Sequence, residues 1–276
     1  MTLVVTEISK HGIVMAADSA ITQKSFTDNQ ITVRTGMQKI IPIPYLKGAM
    51  GFWGDSSVLS TDLPKRPVST LDRFLVDFVE RHEDCKSIES FGQKLCDDLN
   101  SKIEIGKYRL GIQLTGYKNG DDNITPRIFH LHTGKENEPQ NELRLHHDFI
   151  CEKRPTVDSW KEALKSETFW LRNGDYERYA QFAKPLNELV TKWSEQDFCC
   201  PDSTKFKHKA KSLGRSENFA ELEARGRFIK LQVEFMCDLH QLSNQPNFVS
   251  RPVSWIAISP EKIEIFEPVT SPLNSK

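Results

Sequence analysis

The residue with the most chemistry to offer stands second in the chain. Thr2 is small enough for cytosolic removal of Met1, after which the chain would begin with a free α-amino group beside a hydroxyl. An α-amine has a pKa of about 8, so much of it is neutral near pH 7, whereas a lysine amine at about 10.4 is almost entirely charged there. Nucleophile and general base can therefore come from one residue, the amine accepting the Oγ proton directly or through one water. His130, His132, His146, His147 and Cys151 form a second set, of zinc-ligand type. His130 and His132 share one face if their segment is a strand. No second pair has a definite setting in the sequence, so these residues read as histidines on a strand surface. No metal or organic cofactor is expected, and there is no glycine-rich phosphate loop or G-x-S-x-G elbow.

The elements that would position Thr2 follow at once. Residues 2–8 are β-branched and apolar, Ser9 to Gly12 make a turn, and Ile13 to Ala17 form a second apolar run, which predicts a hairpin buried on both faces. Gln38 to Pro44 and Gly48 to Trp53 predict two further strands. Ser69 to Asp72 has capping-box character ahead of a helix with Leu71, Phe74, Leu75, Phe78 and Val79 on one stripe. A second helix is predicted from about Ser87, with Ile88, Phe91, Leu95 and Leu99 aligned. Leu110 to Tyr117 and Arg127 to Leu131 flank the turn-rich 119–123 as a hairpin.

Residues 134–170 lose the pattern and read as an irregular insertion. A helix is predicted from after Asp175 to about Glu195, bent at Pro185, followed by a polar loop. The longest helix, about 218–242, has one stripe at Leu222, Gly226, Ile229, Val233 and Met236. Another runs through Phe228, Leu231, Phe235 and Leu239, which implies contact on two sides. Val253 to Ile258 and Ile263 to Phe266 predict a closing hairpin. Trp170 and Trp255 read as core aromatics. Strands, two helices, strands, two helices and strands together predict an α+β fold, two sheets face to face with helices outside both.

The formal net charge of −1 supplies no field to gather nucleic acid or an anionic membrane. The basic run from Lys205 to Lys211 reads as a solvated stretch. Six cysteines lack metal-ligand spacing and read as reduced thiols of a cytosolic protein. No apolar run approaches membrane-spanning length, and Glu7, Lys10 and His11 interrupt any signal-peptide core. One domain over 1–276, with insertions at about 134–170 and 196–216, is expected.

The opening TLVVTEISKHGIVMAADSAIT resembles that of proteasome β subunits, which are N-terminal-nucleophile hydrolases. There a terminal threonine leads a strand, a glycine turn and a second strand ending in an acidic D-S pair, and Asp18 stands at the family's spacing from Thr2. Gln38-Lys39-Ile40-Ile41 and Gly51-Phe52-Trp53-Gly54 look most like the lysine strand and GFAG segment of the proteasome-like peptidase of bacterial ATP-dependent proteases. LRNGDYERYA, from Leu171, is similar to the family's GSG-x-YA entry, and Asn247-Phe248-Val249-Ser250 to its D-x-x-S segment.

The resemblance implies a four-layer αββα sandwich cleaving peptide or other amide bonds through an ester on Thr2. It assigns Lys39 as the positive charge that favours a neutral amine and an alkoxide-like Thr2, and Asp18 as the partner that keeps Lys39 charged and oriented. The backbone N–H near Gly54 would serve the developing oxyanion. Asn173 replaces the family's serine near the amine and Asn247 its aspartate, while Ser250 is retained; an amide hydrogen-bonds but cannot hold a charge. The resemblance further implies a ring-like homo-oligomer, with an unfoldase or regulator as a conceivable partner. Two alternatives stand beside it: an inert scaffold like the proteasome α-type subunits, which carry an extension ahead of this strand, and an amidase for small molecules.

Overall fold

Two successive strands with no polar face can be satisfied only from both sides, and this pair sits at the middle of the fold. The computed structural model describes residues 2–9, 12–24, 31–54, 57–59, 67–102, 110–119, 124–133, 143–147, 169–174, 179, 181–182, 185, 222–243 and 249–266. Strand β1 (Leu3–Ser9) pairs with β2 (Gly12–Ala17), Val5 opposite Ala16. With β12 (Phe169–Gly174), β13 (Ser254–Ile258) and β14 (Ile263–Phe266) they form an antiparallel sheet ordered β12-β1-β2-β13-β14.

The second sheet, ordered β11-β10-β9-β6-β5, contains β5 (Ile40–Ile43), β6 (Gly48–Gly54), β9 (Leu110–Asn119), β10 (Ile124–Thr133) and β11 (Leu143–His147), again all antiparallel. Helices α1 (Leu71–Arg81) and α2 (Ile88–Lys102) cover its outer face, and α3 (Leu222–Leu242) covers the first sheet. Three apolar clusters fill the three gaps between layers. Phe78, Phe91, Ile112 and Leu131 lie under α1 and α2. Val4, Met15, Ala49 and Ile128 lie between the sheets, and Leu3, Val14, Val233 and Trp255 lie under α3. The expected four-layer α+β sandwich is what these layers form.

Polar side chains cross the inter-sheet gap and fix the two sheets against one another. Thr6 Oγ1 donates to Gln113 Oε1 at 2.5 Å, and the Tyr117 hydroxyl donates to the Ile258 carbonyl at 3.1 Å. Across the other face of the first sheet, Glu7 and Arg225 make a bidentate pair that is buried on both sides. β1 is therefore held from both faces by apolar contact and by directional bonds.

Several expectations are corrected. The capping box does not form: α1 follows directly on β8 (Pro67–Thr70), and its N-cap Thr70 makes no side-chain capping bond. The cap appears instead at α2, where Ser87 Oγ accepts the Ser90 N–H at 3.1 Å. The stretch 134–170 is not irregular throughout, because 143–147 adds the edge strand β11. The apolar segment from Gln38 ends as strand at Ile43, and Pro44–Leu46 form a 3-10 turn. Two ribbons went unexpected: β3 (Ile21–Lys24) with β4 (Ile31–Arg34), and β7 (Ser57–Leu59) with β8.

On α3 the first stripe is buried from Gly226 to Met236. On the second stripe Phe228 is buried, while Leu231, Phe235 and Leu239 are exposed at 57%, 41% and 41%. The expected helix to Glu195 and the polar loop after it lie outside the described residues, apart from Tyr179, Gln181, Phe182 and Pro185.

Gly226 lets α3 press onto Trp255, since a Cβ there would stand 1.9 Å from the indole Cζ3. Trp255 is packed in the core and has little room to yield. Gly226→Ala gains about 1 kcal/mol of helix propensity, yet the overlap is expected to outweigh it and leave a net loss of about 1–3 kcal/mol. Urea unfolding of the two proteins measures the sign.

Candidate active site

Thr2 immediately precedes β1, Asp18 immediately follows β2, and Lys39 immediately precedes β5, so three strand ends deliver the three side chains to one point. Asp18 and Lys39 are joined across the gap between the sheets at 2.9 Å, with side-chain exposures of 0% and 2%. Lys39 Nζ also donates to Thr2 Oγ1 at 3.0 Å, and Thr2 is buried as well. The lysine is thereby aimed at the threonine hydroxyl, with a carboxylate behind it.

Asp18 has further partners on the backbone. Its Oδ1 also accepts the Leu3 N–H at 2.9 Å, while Oδ2 accepts the Ala20 N–H at 2.9 Å and the Ser250 N–H at 3.2 Å. A carboxylate offers about four acceptor positions, and four donors occupy them. The Leu3 bond matters for position, because it ties the carboxylate to the residue that carries Thr2. Ser19 N–H donates to the Ser250 carbonyl at 3.1 Å, which holds the 249–253 segment against the end of β2. Arg251 anchors the same segment to α3 through Asp238, with contacts of 3.0 and 2.9 Å.

Burial pushes the Lys39 ammonium below its ordinary value, and the charge and hydrogen bond of Asp18 oppose that shift. Cys237, on α3, is a buried free thiol that feels the charge of Asp18. Burial first, and then the charge of Asp18, push its thiol up to about 12, so it stays protonated and inert. Cys85 and Cys96 are likewise buried free thiols.

Of the other expected members, Ser250 arrives through its backbone N–H. Gly54 ends β6, two positions along that strand from Phe52, whose N–H donates to the Lys39 carbonyl at 3.2 Å. Its φ of 97° lies where side chains are strained, so a glycine is suited to it. Asn173 pairs in register with Val4, two places along the chain from Thr2. Asn247 lies outside the described residues. The sequence gives no sign of the Leu3 and Ala20 amides, since a backbone donor leaves no mark on residue type; Ser19 was visible only as half of the D-S pair. Among the described residues, no helix is long and apolar enough to cross a membrane.

The layers and the buried Thr–Lys–Asp group define an α+β sandwich with a polar site at the start of its first strand. No family model matches the sequence, and no curated protein matches it. Among solved structures the chain is similar to the Anbu (Gly-1) mutant from Hyphomicrobium sp. strain MC1. The identity is 12% and the TM-score 0.43, with 97% of this chain and 85% of that chain covered. The likeness is one of chain course; the chemistry of the site rests on its own distances.

An unfolded chain keeps the Lys39 proton up to the ordinary value of 10.5, whereas the folded chain releases it at lower pH. The cost of burying that charge is thus felt in full below the folded pKa and fades as pH rises toward 10.5. Asp18→Asn removes the compensating charge and is expected to cost about 3–5 kcal/mol at neutral pH. The loss should shrink as the pH is raised. Urea unfolding across an alkaline pH series checks both the size and the slope.

Proposed function

We propose that the chain is a threonine-type N-terminal-nucleophile hydrolase of the proteasome-like kind, acting on peptide or other amide bonds. The observation that carries this reading is the 3.0 Å contact from Lys39 Nζ to Thr2 Oγ1 inside a buried group closed by Asp18. An ammonium in a site without water stabilises negative charge on a neighbouring oxygen far better than it would in solvent.

With Met1 removed, the Thr2 amine takes the Oγ proton as the oxygen attacks the amide carbon. The carbonyl electron pair moves onto its oxygen, where the N–H beside Gly54 donates to it. Collapse breaks the C–N bond, the leaving nitrogen takes the proton from the Thr2 ammonium, and an ester remains on Thr2. The same amine then draws a proton from water, which releases the acid and restores the hydroxyl. In this reading the family's positions around the amine fall on Ser250, Asn173 and Asn247, and an asparagine amide cannot carry the proton itself. The enzyme works in the cytosol as a ring-like homo-oligomer that encloses its sites, with an unfoldase or regulator delivering substrate, and it needs no metal for this reaction.

A second assignment of the base is favoured by the lowered pKa of Lys39, which brings that amine closer to the range in which it can accept the Oγ proton itself. Blocking the α-amine separates the two, since only the first assignment loses turnover.

Thr2→Ala and Lys39→Ala are each expected to lower peptide turnover by at least about 1000-fold while leaving the assembled mass unchanged. Activity near wild type in either variant refutes the reading. Turnover confined to small amides identifies an amidase on the same fold, and a retained Met1 with no turnover identifies an inert scaffold.

A further inference from the structure

Four donors hold Asp18, and three of them sit at strand ends. Leu3 opens β1, Ala20 directly precedes β3, and Lys39 directly precedes β5. The fourth is the Ser250 N–H, which comes from outside any strand and at 3.2 Å makes the longest of the four bonds. Val249 and Val253, buried in the cluster under α3, fix the two ends of that segment. What holds the polar residues between them is Arg251.

Arg251 is half-exposed and lies against α3. Its Nε and one terminal nitrogen donate to the two carboxylate oxygens of Asp238 at 3.0 and 2.9 Å, and its other terminal nitrogen donates to Glu234 Oε1 at 3.3 Å. Lys230 Nζ stands 3.6 Å from the same Glu234 oxygen, which extends the group along the helix. A lone surface ion pair contributes little, but a bidentate fork inside a network is the exception. Cys237 marks how near this group stands to the site. Its buried thiol feels the charge of Asp18 and also those of Arg251, Asp238 and Glu234.

We propose that Arg251 is a positioning residue for the Thr2 reaction, a latch that keeps the Ser250 N–H on Asp18 and so keeps Lys39 aimed at the Thr2 hydroxyl. The proposal rests on the hydrolase reading above. Direct contacts carry it to the reacting oxygen: α3 to Arg251, the adjoining Ser250 to Asp18, Asp18 to Lys39, and Lys39 to Thr2. With the latch open, Asp18 loses one donor and part of its hold on position. A displacement of about 1 Å at a reacting group can cost about 100-fold in rate. The latch meets solvent, so salt screens it, whereas the buried Lys39–Asp18 pair is shielded. Turnover thereby becomes sensitive to ionic strength at a point outside the site.

The test compares the full-length protein with Arg251→Met and Asp238→Ala. Each variant is expected to lower kcat for a peptide substrate by about 10-fold or more, with KM little changed because the latch touches no substrate. The double variant should be no slower than either single one, since both open the same latch. Arg251→Lys keeps the charge but not the fork and should fall with them. Arg227→Met, which breaks an exposed pair with Glu223 on the same helix, should turn over as wild type. In about 1 M NaCl the wild-type kcat should approach that of Arg251→Met, whose own value should stay constant. Hydrogen exchange gives a readout apart from activity. Peptides covering 249–254 should exchange faster in Arg251→Met at unchanged thermal stability, and those from β1 and β2 should not. Wild-type kcat in Arg251→Met, unchanged exchange across 249–254, or additive losses in the double variant each overturn the proposal. A wild type that cleaves no peptide or amide sinks the hydrolase reading instead, and the exchange result then decides by itself whether Arg251 holds the donor to Asp18.

Discussion

A charged lysine buried between two sheets is the condition from which the rest of the molecule follows. Lys39 cannot keep its proton there without Asp18, and Asp18 cannot remain in that place without donors for its other lone pairs. The donors come from the start of β1, the turn after β2 and the segment ahead of β13. One ion pair therefore draws together four parts of the chain that are distant in sequence. Thr2 is held at the lysine because its neighbour Leu3 is bonded to the same carboxylate.

The surrounding architecture explains why that geometry is rigid. β1 lies against the second sheet through Val4 and the Thr6–Gln113 bond, and against α3 through Leu3, Val5 and the Glu7–Arg225 pair. A strand clamped on both faces has no freedom to slide, since a shift of one residue would exchange all of its faces. The two buried pairs stand on opposite faces of the first sheet. One holds a charge at the Thr2 hydroxyl, and the other anchors the strand that follows Thr2.

What the sequence disclosed follows from how far each signal reaches. The largely apolar runs of residues 3–8 and 13–17 and the stripes on α1 and α2 are local patterns, and they predicted elements that formed. Trp255 was rightly read as core. Asp18 and Lys39 are another matter, because each alone is an ordinary turn or surface residue. Only their joint spacing from Thr2, seen through a family resemblance, singled them out. The ribbons of β3 with β4 and β7 with β8 were missed because ITQK, ITVR and PVST are too short and polar to stand out. β11 was missed for a related reason: LRLHH sits in a polar stretch, and its partner strand is decided by tertiary pairing. That pairing gave His146 a neighbour that no sequence pattern could have assigned.

The central claim is that Lys39 makes the Thr2 oxygen the most reactive nucleophile in the chain. Incubation with a β-lactone followed by peptide mapping measures this directly. The account predicts one acyl group per chain, located on the peptide that begins with Thr2, and none on the Lys39→Ala protein. Acylation elsewhere, or equal labelling of the wild-type and Lys39→Ala proteins, would contradict it.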